Sequence, residues 1–282
     1  MISPVVTPAQ ARSLVGAVFA DVRWYLDGRS GRSAWLSGHL PGAVFVDLNT
    51  ALAGPPSTEA GRHPLPEPEA FAAAMAELGI GETDVVIAYD DAGGSSAGRL
   101  VWLLRNIGVE AALLDGGIAG WDGVVETGET LRPAATFNAR PWDAATLATI
   151  DDAATAYRVV DARAGARYRG ETEPVDARAG HIPGAISLPF GGNLDADQRF
   201  LPPAGLRERF LEAGLTDAAG VVVYCGSGVT ACHDLLALEY AGLGRARLYP
   251  GSWSQYAATQ RPEATGSEPG ERPPSDPDGV TR

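Results

Sequence analysis

The chain contains no lysine: all 22 of its Lys-plus-Arg positions are arginine. That absence excludes Schiff-base chemistry of the pyridoxal phosphate or aldolase kind, and any phosphate loop that needs a lysine. Cysteine is almost missing too, with only Cys225 and Cys232 among 282 residues. Two cysteines cannot make a disulfide framework, and they fit a reducing compartment, so the cytoplasm is the expected location. No apolar run approaches the roughly 20 residues of a membrane span. The N-terminus also lacks the basic-then-apolar pattern of a secretory signal. The four histidines and two cysteines show no metal-ligand spacing, so neither a metal nor another cofactor is expected. Positive charge is scarce, the formal net charge being −13, which argues against nucleic acid and anionic membranes as partners. A small anionic substrate would need a local cluster of arginines.

What the chain does have is an internal repeat. Gly38-His39-Leu40-Pro41-Gly42-Ala43 returns as Gly180-His181-Ile182-Pro183-Gly184-Ala185. Asp-x-Arg precedes each copy, as Asp21-Val22-Arg23 and Asp161-Ala162-Arg163. An apolar strand, a loop and a helix follow each: Val85–Asp90 matches Val221–Cys225, and Ser96–Leu104 matches Thr230–Leu238. The offset stays between about 134 and 142 residues throughout, which marks one domain present twice rather than a solenoid. Short apolar strands alternate with helical stretches such as Glu69–Leu78 and Gly205–Ala213. The alternation predicts an α/β fold in each half, a mainly parallel sheet flanked by helices. Residues 1–130 are expected to form the N-terminal domain, 131–143 a linker and 144–260 the C-terminal domain. Residues 261–282, rich in proline, glycine, serine and acids, read as a disordered tail.

Chemistry concentrates in Val221–His233. A β-branched run delivers Cys225 into a glycine-containing loop, and a helix-compatible stretch from Thr230 to Tyr240 follows. Backbone N–H groups and a helix start converge at such a place and favour negative charge, so a thiolate there is available as a nucleophile. A buried structural cysteine is the alternative. A Cys-x5-Arg phosphate loop is excluded, because Ala231 stands six residues after Cys225 where that loop needs its arginine.

Taken together, the paired GH[LI]PGA turns, the two halves and the one Cys225–Ala231 loop resemble a two-domain rhodanese-type sulfurtransferase, from about Val6 to Tyr256. The resemblance implies two tandem rhodanese-like domains. It makes Cys225 the carrier of sulfane sulfur as a persulfide, surrounded by the N–H groups of Gly226, Ser227, Gly228, Val229, Thr230 and Ala231. Asp90 occupies the place of Cys225 in the first half, which makes that half catalytically silent. The resemblance gives Arg167 the donor's anionic group; Arg163 could help or could be a structural partner of a nearby acid, and Arg178 is a weaker candidate. Thiosulfate-preferring members tend to carry basic residues where Gly226 and Ser227 stand. The expected donor is therefore 3-mercaptopyruvate, with thiosulfate, or a non-catalytic sulfur-relay module, as the alternatives. The implied acceptor is a thiol, such as a small reduced thiol or a thioredoxin-like protein, or cyanide in an assay. Ser227 and His63 suggest a proton relay, although Asn49 stands where the family's relay has an aspartate. Cys232 is expected to face the core, and Trp253 to wall the site.

Overall fold

In the computed structural model, which describes residues 1–272, each half closes around a parallel sheet. The first sheet has strands β1 (Val5–Val6), β2 (Val18–Asp21), β3 (Val44–Phe45), β4 (Val86–Tyr89) and β5 (Ala111–Leu114), in the order β1-β5-β4-β2-β3. The second has β6 (Arg158–Asp161), β7 (Ala185–Ser187), β8 (Val221–Tyr224) and β9 (Arg247–Leu248), ordered β7-β6-β8-β9, with Leu147 bridging to Leu248 beyond β9. The two topologies are the same. Every residue of β4 and β8 is buried, as befits parallel strands covered by helices on both faces. In each half the chain moves to one side of the first central strand and then returns to the other, placing a crevice beyond the strand ends. The loops after β6 and β8 line that crevice in the second half.

The repeated motifs form one bracing device. Arg23 chelates Asp21 and donates to the Gly38 carbonyl at 2.6 Å; Arg163 does the same with Asp161 and the Gly180 carbonyl, also at 2.6 Å. Tyr89 and Tyr224 end the central strands, and their hydroxyls accept from the N–H groups of Leu40 and Ile182. His39 and His181 serve the same turns through their Nδ1 atoms, which meet the carbonyls of Trp35 and Tyr168.

The halves pack through the helices Ala97–Asn106 and Ala231–Tyr240, and one hydrophobic cluster runs through both. Gly98 permits this approach, since a Cβ there would lie 3.2 Å from the backbone nitrogen of His233. Buried Arg105 pairs with Glu239 across the interface.

Residues 261–272 depart from the expected disordered tail. Ala264 pairs with His181 as an antiparallel bridge, the Gly184 N–H donates to the Pro269 carbonyl and Gly266 N–H to that of Arg169. Glu126 pairs with His39 in the same way in the first half. Composition misled because these bonds are made by backbone, whatever the side chains; residues 273–282 lie outside the described residues. The 131–143 segment is likewise docked, with Phe137 packed on Phe71 and the Trp142 indole donating to the Pro66 carbonyl. Among the described residues no helix is long and apolar enough to cross a membrane.

Candidate active site

Cys225 leaves the end of β8 at the floor of a cleft of about 320 Å³, 3 % exposed. Its loop is held by its carbonyls. The carbonyl of Cys225 accepts from Trp253 N–H at 3.0 Å, that of Gly226 from Ser254 N–H at 2.9 Å, and that of Gly228 from the Arg99 guanidinium at 3.0 Å. Those of Val229 and Thr230 accept from Cys232 and His233 N–H. Gly228 has φ +77°, and a Cβ there would sit 2.4 Å from the Pro250 carbonyl oxygen, so only glycine fits. A peptide N–H points opposite to its own C=O. Outward carbonyls therefore leave the loop N–H groups on the opposite side, and none from Gly226 to Ala231 has a hydrogen-bond partner among the described residues. A run of unpaired donors in the loop that follows Cys225 can make a cradle for an anion.

The first half shows the same cradle filled. Asp90 is buried, and its carboxylate accepts from the N–H groups of Ala92, Gly94, Ser96 and Ala97 at 2.8–2.9 Å. A carboxylate oxygen lies two bonds beyond Cβ, as the outer sulfur of a cysteine persulfide does. Asp90 is thus a built-in anion, a buried cap rather than a solvated one.

Guanidinium groups line the cleft beside Gly226. Arg167 Nη1 and Arg62 Nη2 lie 3.2 and 3.1 Å from where a Gly226 Cβ would be. Glu173 and Asp176 hold them: Arg167 donates to Glu173 at 2.6 Å and to Asp176 at 3.4 Å, and Arg62 reaches across from the first half to Asp176. Burial pushes the Asp176 carboxyl up against the opposing pull of Arg62. In Glu173 burial is outweighed by the Arg167 bond and two backbone N–H donors, and the acid is held below its usual range.

Opposite them the His63 Nδ1 lies 2.8 Å from Ser227 Oγ. Burial, helped by the charges of Arg99 and Arg62, lowers the imidazole to about 4, so the ring is neutral at physiological pH. It meets Trp24, which also lines the cleft, with the two ring planes near perpendicular.

The family model for the rhodanese-like domain matches twice, over residues 7–123 and 144–259. The chain belongs to the rhodanese family. Its curated relatives include a probable 3-mercaptopyruvate sulfurtransferase of Pseudomonas aeruginosa, 44% identical across 87% of this chain and 91% of the relative. Another is the putative thiosulfate sulfurtransferase SseB of Mycobacterium tuberculosis, 39% identical across 84% and 87%. Among solved structures, the 3-mercaptopyruvate sulfurtransferase SseA of Escherichia coli superposes with a TM-score of 0.77 at 33% identity, over 90% of this chain and all of that one. This rhodanese is a sulfurtransferase of two rhodanese-like domains.

Within this frame the candidate residues separate. The cleft brings together Cys225, Gly226, Ser227, Val229, Thr230, Arg167 and His63. Arg163 also lines it, but its guanidinium is committed to Asp161, the Gly180 carbonyl and Glu173. Arg23 repeats the first two of these contacts in the half without a cysteine. Arg163 is therefore reassigned from donor binding to the scaffold. Arg178 is turned away, bonded to the carbonyls of Tyr256, Ala257 and Arg261 and to Glu263. Asn49 makes no hydrogen bond with His63, which leaves the pair with Ser227 without a third member. Trp253 lies in the core with its indole on the Arg178 carbonyl; the tryptophan of the cleft is Trp24. Cys232 faces the core, its thiol donating to the Gly228 carbonyl and pushed by burial to about 12.

Two residues escaped sequence reasoning, Arg62 and Arg99. Arg62 adjoins His63 in Gly61-Arg62-His63-Pro64, where a cation in an acidic chain was the available signal. Arg99 is a charge in the first turn of an otherwise apolar stretch, at the repeat position of His233.

Proposed function

We propose that this rhodanese takes sulfane sulfur from 3-mercaptopyruvate onto Cys225 and passes it to a thiol. The observation that carries the reading is the row of unpaired N–H groups around Cys225, set against the identical place where Asp90 supplies the anion itself. Arg167 and Arg62 take the donor carboxylate, each exchanging part of its bond to Asp176 for it. The Cys225 thiolate attacks the donor sulfur. An S–S bond forms, the C–S bond breaks, and its electron pair leaves on carbon as the enolate of pyruvate, which takes a proton from water. With its proton on Nδ1, neutral His63 donates to Ser227 Oγ. The Ser227 hydroxyl proton is then left for the developing enolate oxygen. This role needs no imidazolium and so no aspartate. The persulfide proton is lost, and the terminal sulfur anion settles among the N–H groups of residues 226–231. A thiolate acceptor, from a small reduced thiol or a thioredoxin-like protein of a reducing cytoplasm, then attacks the outer sulfur and restores the Cys225 thiolate.

The loop favours the carbonyl donor because it places a neutral Ser227, not a cation, beside the sulfur. Initial rates with 3-mercaptopyruvate and with thiosulfate test this directly. The 3-mercaptopyruvate kcat/KM should exceed the thiosulfate value, and Arg167→Met or Arg62→Met should raise its KM by about tenfold or more, the loss expected for a charge-assisted hydrogen bond. A preference for thiosulfate overturns the donor assignment, and an unchanged KM removes that arginine from the site.

A further inference from the structure

Four arginines are buried among the described residues, Arg23, Arg99, Arg105 and Arg163, and three of them face an acid: Asp21, Glu239 and Asp161. Arg99 is the exception. Fully enclosed at 0 % exposure, it spends its guanidinium on four backbone carbonyls, those of Leu52, His63, Pro64 and Gly228, and no carboxylate pairs with it among the described residues. A buried guanidinium without a counter-charge is costly, and neutral carbonyls offset that cost only in part. Arg99 nevertheless stands in the half without the cysteine, with its Nη1 on the loop that carries it. Its repeat counterpart His233 has no such reach and packs between Phe190 and Phe200.

We infer that Arg99 is a positioning residue for the sulfur site. It holds the Gly228 carbonyl away from the cleft, which turns the Val229 N–H toward it, and its buried charge answers the anion that comes and goes on Cys225. Cys232 donates to the same Gly228 carbonyl, so that oxygen is held from the core side by a thiol and a guanidinium together. Arg99 also bonds the carbonyls of His63 and Pro64. One side chain of the first half thereby ties together the two segments that flank the reacting sulfur. The half without a cysteine then supplies charge and alignment as well as bulk.

The inference rests on Cys225 being the sulfur carrier, and alkylation of Cys225 by iodoacetamide tests it without any donor. In Arg99→Met, alkylation at pH 7 and kcat for 3-mercaptopyruvate should each fall about tenfold, while the donor KM stays within about twofold because Arg62 and Arg167 are untouched. Arg99→Lys, which keeps the charge, should recover most of the alkylation rate. Wild-type alkylation and kcat in folded Arg99→Met overturn the inference, as does a raised KM at unchanged kcat. If Arg99→Met does not fold, Arg99→Lys decides: alkylation within about threefold of wild type supports the charge, and a loss of tenfold contradicts it. Failure of the wild type to load sulfur would instead strike the proposed function, leaving the alkylation comparison intact.

Discussion

His63 shows how one residue's surroundings decide what it can do. The ring is half-buried, and that burial, with the charges of Arg99 and Arg62, keeps it neutral down to about pH 4, so it meets Ser227 as a neutral hydrogen-bond partner. The same burial has a consequence for stability. An exposed histidine in the unfolded chain takes up a proton below about pH 6.5, whereas folded His63 does so only near pH 4. Between those values the unfolded state binds more protons, so the contribution of His63 is fully present above pH 6.5 and is lost as the pH falls toward 4. The loss amounts to roughly 3 kcal/mol at most. His63→Gln should flatten the pH dependence of the urea midpoint across that window, and an unchanged slope would place the imidazole in a wetter setting.

At the scale of elements, the strand-to-helix loop of the first half closes on a carboxylate, and its repeat in the second half leaves its N–H groups without partners among the described residues. Asp90 satisfies four buried N–H groups at once. Asp90→Ala strands them and should cost about 3 kcal/mol or more, read by chemical denaturation, with sulfur transfer by the remaining folded protein preserved. A loss below about 1 kcal/mol would mean that water replaces the carboxylate readily. The loops were the readable part of the sequence. A β-branched run, a cysteine and two glycines lie within nine contiguous residues, Val221–Val229, and the repeat supplies an internal control in Asp90. The partners of the site were less readable, because they arrive from far along the chain: His63 meets Ser227 across 164 positions and Arg99 meets Gly228 across 129. Arg163 was ambiguous for the opposite reason. Its Asp-x-Arg setting serves a turn in both halves, and only the filled guanidinium shows that turn-bracing takes its donors.

For the whole molecule, duplication has produced a sulfurtransferase in which both halves line the cleft at Cys225. The shared hydrophobic cluster and the close crossing of Ala97–Asn106 with Ala231–Tyr240 fix the halves against each other. Arg62 and His63 from the first half are thereby held in the cleft with Cys225 of the second, and Arg99 on the loop behind it. On the proposed function, the net charge of −13 repels the anionic donor at long range, so its capture should rest on the guanidiniums inside the cleft and weaken as salt screens them. The proposed function converges on a single sulfur anion at Cys225. Intact-mass spectrometry of the protein after brief exposure to 3-mercaptopyruvate reads that claim most directly. One added sulfur on the wild type, removed by a thiol acceptor and absent from Cys225→Ser, is the expected result; an unmodified wild type, or sulfur loading and transfer that persist in Cys225→Ser, would contradict it.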